Sequence, residues 1–213
     1  MLTGKFITIE GTEGAGKSTA VQFIKNYLLQ LKIDVIWTRE PGGTDLAEQI
    51  RNLLLHPMSF EEMEAETELL MMFAARAQHL KKCILPALTA GKWVASDRFI
   101  DASYAYQGGG RNIDMHFITS LDQWIVGDVY PHLTLLLDID PAEGFKRAEK
   151  RGTDKDRIEQ EKIEFFIRVR DTYLARAKQY PERIKVIDAS EPLFIVENQI
   201  RSILDQFINA NVV

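Results

Sequence analysis

A glycine-rich segment near the N-terminus has the residue types needed to hold nucleotide phosphates. Residues 11–18 read GTEGAGKS and match the pattern G-x-x-x-x-G-K-[ST] at every fixed position. In such a loop the backbone N–H groups surround the phosphates, the lysine reaches the β- and γ-phosphates, and the serine hydroxyl binds Mg²⁺. The pattern therefore predicts that ATP is bound by Gly11, Thr12, Glu13, Gly14, Ala15, Gly16, Lys17 and Ser18.

An acid and an arginine at the end of a second apolar run extend this chemistry. The run 92–96 reads KWVAS, has the composition of a strand, and is followed by Asp97 and Arg98. An acid at a strand end, beside a phosphate-binding loop, is typical of the carboxylate that supports the Mg²⁺ shell. The neighbouring guanidinium can form two parallel hydrogen bonds to a phosphate. We therefore predict Ser18 and Asp97 as the metal-binding residues.

A second arginine, Arg39, ends the apolar run 32–38 and precedes a Pro-Gly-Gly turn. The carboxyl ends of strands are where open α/β sheets bind ligands, although a solvated pair of Arg39 with Glu40 is the alternative. Two arginines near a phosphate loop point to an acceptor that is itself a phosphate ester. Such an acceptor needs no strong base, which agrees with the lack of a histidine pair at the predicted strand ends.

A base-binding surface is predicted from residues spaced along a helix and from the segment after Arg98. Phe73 and Arg76 lie three residues apart, so they share one face and could stack on and hydrogen-bond a planar base. Taken alone, the pair is more typical of a core phenylalanine beside a surface arginine. Residues 99–111 read FIDASYAYQGGGR, and their aromatic, hydroxyl and amide groups favour a ligand-facing loop and short helix.

Two charged stretches have simpler interpretations. Five glutamates precede Phe73, which predicts a solvated face near a helix N-terminus; they are Glu61, Glu62, Glu64, Glu66 and Glu68. Residues 146–157 read KRAEKRGTDKDR and are the most basic stretch of the chain. This stretch is either a solvated loop or a mobile lid, at approximately 147–158, whose arginines close on ATP phosphates.

Five apolar runs must position these residues. They alternate with helical patterns, and they are 6–9, 32–38, 92–96, 133–137 and 184–187. Alternating strands and helices predict an α/β fold, with a mostly parallel five-stranded sheet covered by helices on both faces. No repeat or linker divides the chain, so we predict a single domain over 1–213.

The bulk properties exclude several classes of protein. The chain has 213 residues, is 46% hydrophobic, and carries a net charge of −5, which does not favour a nucleic-acid or anionic-membrane partner. No run of 18 apolar residues is present, so we expect a cytoplasmic protein. The one cysteine excludes an intrachain disulfide. Because N-K-x-D and D-x-x-G motifs are absent, a GTPase is also not favoured.

The motifs, taken together and in order, resemble those of bacterial thymidylate kinases over nearly the whole chain. The matching pieces are IEGTEGAGKST, TREPGGT, FAARAQH, SDRFIDASYAYQGGGR, LDIDP, RGTDKDRIEQE and FFIRVRDTY. The combination of TREPGGT, DR and YQGGG is far more specific than the phosphate loop. The resemblance implies a three-layer P-loop kinase fold with a short helical, basic lid, and a homodimer that transfers phosphate from ATP to dTMP, giving dTDP for dTTP synthesis.

The resemblance also implies roles for single residues in dTMP binding. Glu13 would face the 3′-hydroxyl, whereas Arg39 and Arg98 would hold the phosphate. Phe73 would stack on thymine beside Arg76, which would bond an exocyclic carbonyl. The remaining contacts to the base edge and sugar would come from Ser103, Tyr106 and Gln107.

Members of this family supply a catalytic arginine either from the phosphate loop or from the lid. The variable loop positions, 12–15, hold no basic residue, so the resemblance places this arginine in the lid. Arg151, beside a glycine, is the first candidate, with Arg147 or Arg157 as substitutes. The predicted catalytic residues are Lys17, Asp97, Arg98 and Arg151.

Two other functions remain as alternatives. A deoxynucleoside kinase would need a carboxylate base for a neutral sugar hydroxyl and would not need two arginines for an acceptor phosphate. A nucleotide-binding switch module without turnover would not need the Asp-Arg pair or the lid. Assays with thymidine and with nucleoside monophosphates separate the three.

Overall fold

The fold is built on one parallel sheet, and the computed structural model describes residues 4–56, 61–150 and 156–211. The strands are β1 (Phe6–Gly11), β2 (Val35–Arg39), β3 (Trp93–Asp97), β4 (Leu133–Asp138) and β5 (Ile184–Asp188). Each strand coincides with one of the five apolar runs. Their spatial order is β2-β3-β1-β4-β5, and every pair is parallel. The predicted α/β fold with a five-stranded parallel sheet is confirmed.

Helices connect the strands and cover the sheet. They are α1 (Lys17–Gln30), α2 (Asp45–Leu55), α3 (Ala65–His79), α4 (Leu85–Thr89), α5 (Ile100–Ser103), α6 (Met115–Ile125), α7 (Pro141–Glu149), α8 (Ile163–Gln179) and α9 (Leu193–Asn211). Wider, π-helical turns follow α3 at Leu80–Ile84 and α5 at Tyr104–Gly110. Across the described ranges, no helix combines the length and the apolar character needed to cross a membrane.

Local sequence signals explain where several helices begin. The Thr44 hydroxyl accepts a hydrogen bond from the Ala47 N–H at the start of α2. The Asp114 carboxylate accepts from the His116 N–H at the start of α6. Each cap satisfies a backbone donor that has no partner inside its own helix, which is why threonine and aspartate are favoured at this position.

The central strand β1 is buried on both faces, which gives the molecule three layers. On one face Ile7 packs in a core with Ile24 of α1 and Ile200 of α9. On the other face Phe6 packs in a second core with Leu88 of α4. Burial on both faces is typical of parallel sheets that are covered by helices. The carboxyl ends of the strands therefore remain the part of the sheet that is open to ligands.

The prediction that the glutamates at 61–68 form a solvated face is wrong for one of them, Glu68. Glu61, Glu62, Glu64 and Glu66 are exposed, as predicted for a solvated face. Glu68 is instead buried, because its carboxylate is surrounded by Gln107 and two arginines, as described below. Helix periodicity puts Glu68 on the inner face of α3, where only these partners make its burial tolerable.

Candidate active site

The glycine-rich segment forms a tight loop between β1 and α1. Gly11, Gly14 and Gly16 have φ angles of 144°, 76° and 87°, a backbone region that residues with a Cβ rarely adopt. A Cβ on Gly14 would also lie 2.0 Å from the carbonyl oxygen of Gly144 in α7. The loop therefore requires glycine both for its conformation and for its close approach to α7.

Lys17 points back into the loop. Its Nζ donates to the carbonyl oxygens of Gly11, at 2.9 Å, and Thr12, at 3.2 Å. Burial lowers the pKa of the Lys17 ammonium, and the nearby positive charge of Arg98 lowers it further. These bonds hold the lysine at the loop, the position from which it can reach a bound phosphate.

Asp97 and Ser18 supply oxygen atoms on the same side of the loop. Both residues border the open cavity that runs along the loop. The Asp97 Oδ1 atom is buried and has no hydrogen-bond partner in the described part of the chain. A buried carboxylate oxygen without a partner, in a residue that borders the same cavity as Ser18, fits a site for a hard divalent cation such as Mg²⁺. No group of three acidic, histidine or cysteine residues that could hold a metal was found among residues 4–56, 61–150 and 156–211. A magnesium ion here would therefore also need oxygens from a phosphate ligand.

Arg98 lies at the centre of the site. Its Nη2 donates to Glu13 Oε1 at 2.8 Å and to the Tyr106 hydroxyl at 2.8 Å. Its backbone φ is 68°, in the left-handed region that is costly for a residue with a side chain. This conformation directs the chain away from β3 immediately after Asp97, so that the acid and the arginine both face the carboxyl end of the sheet.

The loop acid Glu13 is held in its charged form. Burial alone would raise the pKa of its carboxyl group, but the positive charges of Lys17 and Arg98 outweigh burial and lower it to about 2. The Tyr106 hydroxyl donates a further hydrogen bond at 3.3 Å. Glu13 is therefore a fixed anion and hydrogen-bond acceptor at neutral pH, rather than a proton donor.

Two cavities meet at this pair of charged residues. The loop cavity, of about 790 Å³, runs from residues 13–20 past Asp97 to Arg147 and the segment 189–193. The side cavity lies between α2, α3 and the segment that follows Arg98. Glu13 and Arg98 border both cavities. Two ligands could therefore approach each other across these two side chains.

Most of the residues predicted to bind the second ligand border the side cavity. They are Glu13, Arg76, Arg98, Ser103, Tyr106 and Gln107. Arg39 and Phe73 do not border it. The structure thus brings together six residues that are spread over 95 positions of the sequence, and it places two of the predicted residues elsewhere.

Phe73 belongs to the protein core. Its side chain is 2% exposed and packs in the same cluster as Phe6, Leu69 and Phe99, on the inner side of α3. Met72 borders the side cavity instead. Consecutive helical residues point about 100° apart, so a shift of one residue exchanges a cavity position for a core position. The buried position of Phe73 corrects the prediction that its ring stacks on a base.

Arg39 lies outside the side cavity as well. Its side chain is exposed, and its Nη2 pairs with Glu48 Oε2 at 2.8 Å. Arg51 of α2, which the sequence reading missed, borders the side cavity and donates to the Pro41 carbonyl at 2.9 Å. Burial lowers the pKa of the Arg51 guanidinium, and the positive charges of Arg39 and Arg98 lower it further. Arg51, not Arg39, therefore accompanies Arg98 at this cavity.

Gln107, one of the residues predicted to meet the base edge, is tied to a buried acid. Gln107 Nε2 donates to Glu68 Oε1 at 2.8 Å, which fixes the orientation of the amide. Arg111 and Arg157 pair with the Glu68 Oε2 atom at 3.0 and 2.6 Å. These positive charges outweigh burial and lower the pKa of the Glu68 carboxyl group. The cluster joins α3, the π-helical turn Tyr104–Gly110 and the chain that follows the predicted lid.

Two of the three candidate arginines of the predicted lid lie in the described part of the chain. Arg151, the first candidate, lies outside the described residues. Arg147 borders the loop cavity and donates to the Ala189 carbonyl at 2.7 Å. Arg157 donates from Nε to the Leu54 carbonyl oxygen and from Nη2 to Glu68, so its guanidinium is hydrogen-bonded within the fold. Of the two substitutes, Arg147 is the one at the loop cavity.

A buried acid behind the site was not found by sequence reasoning. Glu10 accepts from the Phe99 N–H at 2.8 Å and from the Tyr173 hydroxyl at 2.6 Å. Burial, together with the charge of Asp101, raises the pKa of the Glu10 carboxyl group to about 8. Glu10 therefore anchors the backbone after Arg98. In the sequence, the one indication that Glu10 is buried is its position in the strand β1, between Ile9 and Gly11.

Comparisons with known proteins agree on one family. A family model described as "Thymidylate kinase" matches residues 9–200. The thymidylate kinase of Ruthia magnifica subsp. Calyptogena magnifica is 54% identical over 204 residues, which is 96% of this chain and 98% of that protein. The thymidylate kinase of Teredinibacter turnerae is 50% identical over 207 residues, which is 97% of this chain and 100% of that protein.

A solved structure gives the same result for the fold. The crystal structure of thymidylate kinase from Ehrlichia chaffeensis superposes with a TM-score of 0.75 at 35% sequence identity. The match covers 95% of this chain and 98% of that chain.

Proposed function

The chain belongs to the thymidylate kinase family, and we propose that it transfers the γ-phosphoryl group of ATP to dTMP, giving dTDP and ADP for dTTP synthesis. The observation that carries this proposal is the meeting of the loop cavity and the side cavity at Glu13 and Arg98. A phosphate held by the loop and a phosphate at Arg98 would face each other across that junction. Phosphoryl transfer depends mostly on such positioning.

ATP is proposed to occupy the loop cavity. The backbone N–H groups of residues 11–18 would surround its phosphates at the N-terminus of α1, where the helix dipole favours negative charge. Lys17 is already held at the loop by two carbonyl oxygens. Arg147 and the segment 189–193 border the far end of the cavity and would contact the rest of the nucleotide.

dTMP is proposed to occupy the side cavity. Arg98 and Arg51 would bind its phosphate, since both border the cavity and both carry a positive charge. Arg76, Ser103 and Gln107 are proposed to meet the base edge.

The sugar and the base face are assigned to three other residues. Glu13 would accept from the 3′-hydroxyl, because its low pKa keeps it an acceptor. Met72, in place of Phe73, is proposed to contact the face of the base. Tyr106 would lie under the sugar.

The proposed reaction needs no protein base. An oxygen of the dTMP phosphate attacks the γ-phosphorus, a new P–O bond forms, and the bond from that phosphorus to the β,γ-bridging oxygen breaks, so that ADP leaves. Negative charge on the transferred group is offset by Lys17 and by an arginine from the lid. Arg151 remains the first candidate for this arginine.

Mg²⁺ is proposed as the metal of the reaction, held by Ser18 and Asp97. The unpartnered Asp97 Oδ1 supports this proposal. Held by the Ser18 hydroxyl and the Asp97 carboxylate, the ion would offset negative charge on the phosphates.

A homodimer is proposed through a surface formed by α2, α3 and α6. Large apolar side chains on these helices are exposed, and they are Leu46, Leu53, Leu70, Phe117 and Trp124. Because α3 contacts both α2 and α6, these side chains lie on neighbouring helices, and exposed apolar side chains on neighbouring helices are typical of an interface between copies of a chain. We expect Trp124→Glu to convert a dimer into a monomer in sedimentation velocity. A monomeric unsubstituted protein would contradict the dimer.

The chain is further proposed to act as a single kinase domain in the cytoplasm, where ATP is supplied. The proposal includes no nucleic-acid or membrane partner. The deoxynucleoside kinase and the switch module are not favoured, because the family is that of thymidylate kinases and because Arg51 and Arg98, the pair proposed to bind an acceptor phosphate, both border the side cavity.

A coupled ADP-release assay tests the function directly. The substrates are dTMP, dUMP, dCMP, dGMP and thymidine, each with ATP in the presence and absence of Mg²⁺. We expect strong turnover with dTMP that stops without Mg²⁺. Turnover with thymidine in preference to dTMP would support the deoxynucleoside kinase, and no turnover with any substrate would support the switch module.

A further inference from the structure

A cluster of buried charges lies directly beneath the side cavity. Its members are Glu40, Arg76 and His79, whose exposed fractions are 5%, 2% and 0%. Glu40 Oε2 accepts from Arg76 Nε at 2.7 Å, and Glu40 Oε1 accepts from His79 Nδ1 at 2.9 Å. On the other side of the ring, His79 Nε2 lies 2.6 Å from Thr38 Oγ1. One carboxylate is therefore shared by two basic groups.

The contacts of the imidazole favour its protonated form. Burial alone would lower the pKa of His79, but hydrogen bonds to Cys83 and Glu40 and the Glu40 charge outweigh burial and raise it to about 9. A doubly protonated ring has one N–H at Nδ1, which faces Glu40, and one at Nε2, which faces the Thr38 hydroxyl. At neutral pH the cluster then holds two positive charges and one negative charge.

The cluster fixes the guanidinium of Arg76. Arg76 Nη1 donates to Ser103 Oγ at 2.9 Å, and Nη2 donates to the Phe99 carbonyl oxygen at 3.0 Å. Together with the bond to Glu40, the guanidinium has acceptors on three sides. Glu40 and Arg76 border the side cavity, whereas His79 does not. His79 therefore acts on this cavity only through the groups that it holds.

His79 also supports the turn that follows β2. Gly43 has a φ of 81°, and a Cβ built on it would lie 2.4 Å from His79 Nε2, so the turn rests against the ring. The Gly43 N–H donates to Glu48 at 2.9 Å. Pro41, at the start of this turn, borders the side cavity. One ring thus contacts both the acid that orients Arg76 and the turn that forms a wall of the cavity.

We propose that His79 is a positioning residue for the acceptor nucleotide, holding Glu40, and through it Arg76, in the orientation that meets the base edge. This role rests on the proposed function. A carboxylate held from two sides cannot turn away when a ligand enters, so Arg76 is oriented before binding rather than during it. His79 contributes nothing to the loop cavity, which it does not border.

Steady-state kinetics of His79→Gln test this role. We expect the KM for dTMP to rise at least tenfold, because a neutral amide holds Glu40 less firmly than an imidazolium does. The KM for ATP is expected to stay within twofold and kcat within threefold. If His79→Gln does not fold, His79→Asn is measured in the same way, since its amide is smaller and is likewise uncharged.

The matched control is His132→Gln. The His132 ring is also tied into the fold, since its Nδ1 accepts from the Phe6 N–H at 3.0 Å, but it borders neither cavity. We expect both KM values of this variant to stay within twofold of the unsubstituted protein. A loss of general rigidity would instead raise the KM for dTMP in both variants.

A double-mutant cycle with Glu40→Gln tests the route of the effect. If His79 acts through Glu40, adding His79→Gln to Glu40→Gln changes the KM for dTMP by less than twofold. A KM for dTMP in His79→Gln within twofold of the unsubstituted protein would overturn the positioning role, as would equal rises in both KM values. If the unsubstituted protein does not turn over dTMP at all, the proposed function fails and this role fails with it.

Discussion

Replacing Arg98 by glycine and by alanine separates the effect of its side chain from that of its backbone. The residue has a φ of 68°, and its backbone N–H donates to the Ile9 carbonyl at 3.0 Å, which fixes this conformation within the sheet edge. Its guanidinium meets Glu13 and Tyr106 at 2.8 Å each. Both variants lose the same side-chain contacts, so these losses cancel when the two variants are compared with each other.

The backbone difference can be worked from the φ angle. A left-handed conformation costs a residue with a Cβ about 1–2 kcal/mol, and it costs glycine almost nothing. Glycine loses about 0.5–1 kcal/mol more than alanine in chain entropy on folding. The Arg98→Gly variant is therefore expected to be more stable than Arg98→Ala by up to about 1.5 kcal/mol, the largest difference between these two ranges.

Activity should not follow this order of stability. Arg98 borders both cavities, so both variants lose a fixed cation between the two proposed substrates. Removing one such electrostatic donor typically costs about 10²- to 10³-fold in rate. We expect kcat/KM for dTMP to fall by about that factor in both variants, although one of them is the more stable protein.

Urea unfolding at pH 7 gives the difference in stability, and the coupled ADP-release assay gives kcat/KM. Arg98→Lys serves as a third variant, because it keeps a charge but not the fork of donors. Greater stability of the alanine variant than of the glycine variant would refute the strain argument. Activity within tenfold of the unsubstituted protein in both variants would refute the placement of Arg98 between the substrates.

Three other perturbations follow from the site. Arg151→Ala is expected to lower kcat about 10²-fold with little change in dTMP affinity, which single-turnover rates and isothermal calorimetry measure; an unchanged kcat removes this residue from catalysis. The raised pKa of His79, about 9 against 6.5 for an ordinary histidine, contributes stability that is fully present below pH 6.5 and lost as the pH rises through 9. The free energy of unfolding should thus fall by up to about 3 kcal/mol more between pH 6.5 and 10 in the unsubstituted protein than in His79→Gln, and equal slopes would contradict the charge. Met72→Ala should raise the KM for dTMP about tenfold, as expected for about 1.4 kcal/mol of lost apolar contact, whereas Met71→Ala, which borders neither cavity, should leave it within twofold. A tenfold rise for Met71→Ala alone would reverse the assignment.

The sequence by itself determined the features that depend on neighbouring residues. The apolar run 6–9 and the glycines after it predicted a strand followed by a phosphate-binding loop, and these are β1 and the loop that leads into α1. The helix caps at Thr44 and Asp114 were also predictable, because each bond spans two or three residues. Alternating strands and helices were enough for the parallel sheet.

The sequence was less informative about which side chain faces a ligand. Phe73 and Met72 occupy consecutive helical positions of similar hydrophobicity, and only the packing of α3 against Phe6 and Leu69 places Phe73 in the core. Periodicity gives the spacing of a helical face but not its direction relative to the sheet. The direction depends on contacts between residues that are far apart in the sequence.

Long charged side chains depended most on the tertiary structure. Arg39 ends β2, as predicted, but its guanidinium pairs with Glu48 outside the side cavity. Arg51 of α2 borders that cavity instead. Glu68 belongs to an acidic run of otherwise exposed residues, yet it is buried, and its carboxylate pairs with Arg111 and Arg157. A charged group can be buried only where opposite charges and hydrogen bonds meet it. For Glu68 those partners come together only when α3, the π-helical turn Tyr104–Gly110 and the chain after the predicted lid have packed.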